Sequence, residues 1–174
     1  MLRPITQTCN DSARDLWYQK NMTKPSRDKP LNVLFVCIGN SCRSQMAEAF
    51  ANQHGGRRIR AWSAGSAPLG SITPLTYEVL REKGISLDGY WSKGMNDIPV
   101  NEMDVVVGMG CEVICPVPAG FKGRVIEWNI PDPYGRDAGY FRTIRDLIER
   151  EVMALLNDIE ERRHMASKAP QAGV

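Results

Sequence analysis

Strands that alternate with helices along this chain predict a three-layer α/β sandwich built on a central parallel sheet of about four strands. Two observations carry that expectation. LNVLFVC (31–37) and MDVVVGMG (103–110) are short continuous apolar runs, as strands buried on both faces require. Between and after them, apolar residues recur at helical spacing.

The elements follow in order. LNVLFVC is the first strand, and SQMAEAFANQH then places Met46, Ala49 and Phe50 on one helical face before Gly55 and Gly56 stop it. RRIRAWSAG reads as a second strand and ITPLTYEVLREKG as a helix closed by Gly84. MDVVVGMG and RVIEW complete the sheet. A long amphipathic stretch from about Ala138 to Arg163, carrying Phe141, Ile144, Leu147, Ile148, Val152, Leu155 and Ile159, is the closing helix.

At 174 residues the chain has room for one domain with a sizeable core. We assign residues 31–165 to a catalytic domain. Residues 1–30, with Pro4, Pro25 and Pro30 and no sustained apolar period, read as an extension, partly disordered or holding one short helix around Ser12 to Lys20. Residues 166–174 read as a disordered tail. A formal charge of +2 argues against a nucleic-acid partner. No apolar run approaches the roughly 20 residues that span a bilayer, and the first residues are polar. The expectation is a cytoplasmic protein with no membrane contact.

Function has to be read from a site. Cys37 ends the first strand and opens the loop Cys37-Ile38-Gly39-Asn40-Ser41-Cys42-Arg43-Ser44, which leads into a helix N-terminus at the carboxyl edge of a parallel sheet. The backbone N–H groups of the six residues after Cys37 converge on an anion, and Gly39 permits a backbone conformation that other residues resist. The Arg43 guanidinium is a planar fork for two oxygens of a tetrahedral centre. The same donors, with the Ser44 hydroxyl, favour the thiolate of a cysteine that otherwise titrates near 8.5. The competing reading is a buried cysteine at a strand end beside an ordinary surface arginine.

This loop, set between strand and helix, resembles the low-molecular-weight protein tyrosine phosphatase family, whose fold is shared by thioredoxin-coupled arsenate reductases. The resemblance covers about Leu31 to Ile159. It implies Cys37 as nucleophile, Arg43 as oxyanion ligand, Ile38, Gly39, Asn40, Ser41, Cys42 and Ser44 as substrate-binding residues, and Asp132 in PDPYG as general acid. Expelling an alkoxide, or water from arsenate, does require a proton, and Pro131 and Pro133 stiffen the segment that would deliver it. Asp before Pro is also a common turn starter.

Two branches of the family share the loop. Ser41 and Gln45 stand where the phosphatase branch usually has an apolar residue and a proline, so GNSCRSQMAE is similar to the reductase branch. Cys111 and Cys115 follow the second buried strand and are expected at the same sheet edge as Cys37. The resemblance then implies a relay: Cys37 attacks arsenic, Cys111 attacks Cys37 and releases arsenite, and Cys115 closes a disulfide with Cys111. A thioredoxin-like reductant would reset it, with no tightly bound cofactor. Helical residues four apart have Cα atoms about 6.2 Å from each other, inside the disulfide range of about 4.4 to 6.8 Å, and Pro116 ends such a turn at Cys115. Two core-facing thiols, or half of a metal site, are the other readings of this pair. Cys9 has no partner in the chain.

The alternative function is a phosphatase acting on phosphotyrosine or small phosphoesters through a cysteinyl-phosphate, for which Tyr134 beside the acid speaks. A thiol-based sensor of arsenite or metal is a third, against which the intact Asp132 speaks. Some reductases of this family bind potassium beside the loop. Asn40, Glu48 and Ser63 match that site, but Lys93 stands where an acid is usual, so the expectation is no bound metal and no potassium requirement.

Overall fold

The computed structural model describes residues 29–110 and 117–168, with side chains placed as far as Met165. The expected helix around Ser12 to Lys20, Cys9, and the pair Cys111 and Cys115 lie outside the described residues. Four strands form one parallel sheet: β1 (Leu31–Cys37), β2 (Ile59–Gly65), β3 (Val105–Met109) and β4 (Arg124–Trp128), in the order β2-β1-β3-β4. Among the described residues three α-helices accompany them: α1 (Arg43–Gly55), α2 (Pro74–Arg81) and α3 (Ala138–Lys168). This is the expected α/β fold, a four-stranded parallel sheet flanked by helices.

β1 is buried on both faces because it lies between two strands and between two apolar clusters. Val33, Phe35 and Cys37 face the helices, in a core that includes Met46, Phe50, Val79, Phe141, Ile148 and Val152. Leu34 and Val36 face the other way, toward Ala64, Ile98, Val100, Met103 and Val106. This second face is covered by two short 3-10 turns, Met95–Asp97 and Val100–Glu102, and by Val117 and Phe121, so that outer layer is thin.

Helix ends follow local chemistry. α1 stops at Gly55, and Gly56 takes φ 56°. Thr73 and Pro74 begin α2 later than the apolar pattern implied, since proline fits the first helical position. At its other end Gly84 adopts φ 73° while the Ile85 N–H bonds the Leu80 carbonyl at 3.0 Å, a left-handed stop of the kind expected of that glycine. α3 runs to Lys168, beyond the expected end at Arg163.

The outer edge of β2 is closed by a side chain. Asn52 of α1 accepts from the Ala61 N–H at 2.9 Å and donates to the Ala61 carbonyl at 3.2 Å, as a neighbouring strand would. Further along, the Gly65 N–H bonds the Lys93 carbonyl at 2.8 Å. No helix among the described residues is long and apolar enough to cross a membrane.

Candidate active site

The loop from Cys37 to Ser44 leaves the carboxyl end of β1 and enters α1, with Cys42 at the cap position. Among the described residues, the backbone N–H groups of Ile38, Gly39, Ser41, Cys42, Arg43 and Ser44 donate to no protein acceptor. Buried amides without partners are costly, so a cradle of six at a helix N-terminus is suited to an anion. The Asn40 N–H points instead at Cys37 Sγ, at 3.3 Å. Ser44 Oγ lies 3.0 Å from the same sulfur and accepts from Asn40 Nδ2 at 2.9 Å, which frees its own hydrogen for Cys37. Cys37 is buried but not sealed, at 3% exposure.

The residue with the unusual backbone is Asn40, not Gly39. Asn40 has φ 45°, the one positive φ of a non-glycine residue among those described. Asparagine tolerates this region better than most residues. A Cβ at Gly39 would sit 3.0 Å from the Leu69 side chain, which is exposed and has room to shift. Gly65, on β2, is demanded by the same loop, since its Cβ would lie 2.6 Å from the Ile38 carbonyl oxygen.

Arg43 is 3% exposed, and its guanidinium is held on three sides. Nη1 donates to the carbonyls of Met109 at 2.9 Å and Ile130 at 3.2 Å, and Nη2 donates to Asp132 Oδ2 at 2.5 Å. Of its five N–H groups, Nε–H and one on Nη2 remain for a ligand. The expected acid and the expected oxyanion ligand are therefore in contact. Asp132 Oδ1 accepts from the Tyr134 N–H at 3.0 Å, fixing the turn, while the Tyr134 side chain is 59% exposed beside it.

The structure gives the other loop residues distinct parts. The Ser41 carbonyl accepts from the Thr73 N–H at 3.1 Å and from Thr76 Oγ1 at 3.0 Å, which ties the loop to α2. Cys42 turns its thiol away toward Thr73 Oγ1 at 3.3 Å. Burial pushes that thiol up from its ordinary value, against hydrogen bonds from Thr73 and Ser41. The thiol's polar contacts are thus with Ser41 and Thr73 and not with Cys37.

Behind the loop lies a buried polar cluster. Asn40 Nδ2 also donates to Ser63 Oγ at 2.8 Å, and Ser63 Oγ donates to Glu48 Oε2 at 2.5 Å. Lys93 Nζ lies 3.1 Å from Glu48 Oε2 and 3.4 Å from Ser63 Oγ, with 3% of its side chain exposed. Of the residues matched to a cation site, Glu48 and Ser63 thus contact an ammonium, while Asn40 Oδ1 accepts from the Lys93 backbone N–H at 2.7 Å. Burial raises the Glu48 carboxyl above the usual range, and the Lys93 charge and Ser63 hydroxyl oppose it. Its burial means that Lys93 is not a plain surface charge. Sequence reasoning missed Thr73, Thr76 and the Trp91 carbonyl, which accepts from Lys93 Nζ at 3.3 Å; the backbone acceptor has no side-chain signature to find.

The chain matches the low molecular weight phosphotyrosine protein phosphatase family over residues 32–165. It is 35% identical over 129 residues to a glutaredoxin arsenate reductase of Synechocystis, covering 73% of this chain and 97% of that one. Among solved structures it is similar to an arsenate reductase in its phosphate-binding state, with TM-score 0.68, 34% identity, and coverage of 74% of this chain and 98% of that one. It is also similar to a thioredoxin-dependent arsenate reductase of Corynebacterium glutamicum, with TM-score 0.65, 28% identity, and coverage of 86% and 72%.

Proposed function

Since the chain belongs to the low-molecular-weight phosphotyrosine protein phosphatase family, in its arsenate reductase branch, we propose that it reduces arsenate to arsenite with Cys37 as nucleophile. The observation that carries this reading is the single assembly of the loop's amide cradle, the Cys37 sulfur and the Arg43–Asp132 pair. The cradle and Arg43 bind a tetrahedral oxyanion, and thiolate attack on arsenic expels one oxygen as water, taking a proton from Asp132.

The second half is thiol exchange. Cys111 attacks the sulfur of Cys37, a Cys37–Cys111 disulfide forms, and the electron pair of the broken sulfur–arsenic bond leaves with arsenic as arsenite. Cys115 then attacks Cys111, freeing Cys37 and leaving a Cys111–Cys115 disulfide. A thioredoxin-like dithiol reduces it, and no tightly bound cofactor takes part. β3 ends beside β1, with Val36 paired to Gly108, and this supports the relay because the chain carrying Cys111 departs from the edge where Cys37 lies.

Lys93 takes the place of a cation beside Asn40 and Glu48, so activity should not respond to exchanging potassium for sodium at constant ionic strength. A rise in kcat/KM with potassium would overturn that part. The phosphatase reading keeps one observation in its favour, the exposed Tyr134 next to Asp132, as a surface for an aromatic ester.

The test is to incubate the protein with arsenate, thioredoxin, its reductase and NADPH, and then to repeat with Cys115→Ser. Arsenate-dependent NADPH consumption is expected for the wild type and not for the variant. Consumption that survives the change sinks the relay, and rapid phosphoester hydrolysis without arsenate-dependent consumption selects the phosphatase.

A further inference from the structure

Gln45, the third residue of α1, has no exposed surface. Its Nε2 lies 2.8 Å from Asn40 Oδ1, 3.2 Å from the Asn40 carbonyl and 2.8 Å from the Trp91 carbonyl, while its Oε1 is buried with no partner among the described residues. Exchanging the amide's nitrogen and oxygen would set an oxygen against three others, so the orientation is fixed. A side chain kept only for its volume would not carry a buried unpaired carbonyl, because methionine fills the same space without it. The donors are what this position requires.

Two of the three acceptors belong to one residue, Asn40, and the third is the Trp91 carbonyl. Asn40 holds a positive φ, and in that conformation its N–H reaches Cys37 Sγ while its side chain reaches Ser44 Oγ. The Lys93 N–H is the other tie on Asn40 Oδ1, at 2.7 Å. Gln45 itself touches neither the sulfur nor the cradle.

We propose that Gln45 is a positioning residue, holding Asn40 in its left-handed conformation against the 91–93 segment and thereby setting the reactivity of Cys37. The inference rests on Cys37 being the nucleophile. In Gln45→Met the Asn40 N–H swings away from the sulfur, and the cradle loosens with it.

The readouts are the rate at which iodoacetamide alkylates Cys37 at pH 7, located by mass spectrometry, the Kd for inorganic phosphate, and the thermal midpoint. Gln45→Met should slow alkylation about five- to tenfold and weaken phosphate binding to a similar degree, the scale of one ordinary hydrogen bond. In an Asn40→Gly background, where the backbone needs no holding, the same change should have less than about twofold effect. Gln45→Asn, whose amide falls short of Asn40, should follow Gln45→Met, and it carries the test if the methionine variant does not fold. A lowered thermal midpoint with alkylation and phosphate binding at wild-type values overturns the proposal, as does an undiminished effect in the glycine background. If Cys37 of the wild type is no more reactive than the chain's other thiols, the nucleophile assignment falls and this inference with it.

Discussion

Lys93 and Glu48 are the most exposed to a change of partner of any residues near the loop, because both are buried. Removing the ammonium strands a carboxylate in a site where burial already raises its proton affinity. Lys93→Met should cost about 3–5 kcal/mol in urea unfolding, and adding Glu48→Gln should return most of it. An unaltered unfolding midpoint for the single variant would mean that water reaches Glu48. Arg43→Lys tests the anion site at the same scale. A lysine lacks the fork that holds Met109, Ile130 and Asp132 together, so phosphate binding measured by calorimetry should weaken by at least tenfold. Sequence alone made Cys37, Arg43 and Asp132 legible, through a motif and a dipeptide. It misassigned the strained backbone to Gly39, because composition says which residue tolerates positive φ and not which one adopts it. In this loop the hydrogen bonds on Asn40's side chain decide.

Among the elements, the strands were the most readable and their order the least. Continuous apolar runs identify strands buried on both faces, but nothing local in LNVLFVC says that it lies between β2 and β3. α1 illustrates a different limit. The apolar residues Met46, Ala49 and Phe50 marked one face, yet Arg43, Ser44, Gln45 and Glu48 are buried too, because the helix start is enclosed by the loop it serves. The packing of β2 against that loop gives a prediction: Gly65→Ala drives a Cβ into the Ile38 carbonyl, so stability should fall by about 1–3 kcal/mol and phosphate binding with it. Beside their shared apolar core, α2 and α3 are joined at the surface by ion pairs. Hydrogen bonding to Arg142, seconded by Arg145, holds the Glu82 carboxyl at about 2. A carboxyl depressed in the folded state adds stability above its ordinary value near 4.5, and that contribution is lost as pH falls toward about 2. Unfolding midpoints between pH 7 and pH 3 should therefore drop less for Glu82→Gln than for the wild type. An equal drop would assign the acid sensitivity elsewhere.

At the scale of the whole molecule, every side chain described at the proposed anion site comes from residues 37–132. A protein lacking residues 1–28 should keep its phosphate affinity, checked by calorimetry. Weakened binding would assign that extension a part in the site. The sheet order brings two non-consecutive strand ends together, and composition could not have announced it: β1 and β3 are neighbours because the chain crosses over between them through α1, β2 and α2.

The Asn52 amide on Ala61 bears on how the protein behaves in a crowd. A parallel sheet with an open rim is a template on which another chain can add a strand. One side-chain amide satisfies the rim of β2 at its centre, and the Lys93 carbonyl satisfies it near its end. Asn52→Ala would leave the monomer's chemistry untouched while baring an N–H and a carbonyl, and the consequence should appear as turbidity on refolding at high protein concentration. A residue that the active site never meets would then guard the sheet edge against association.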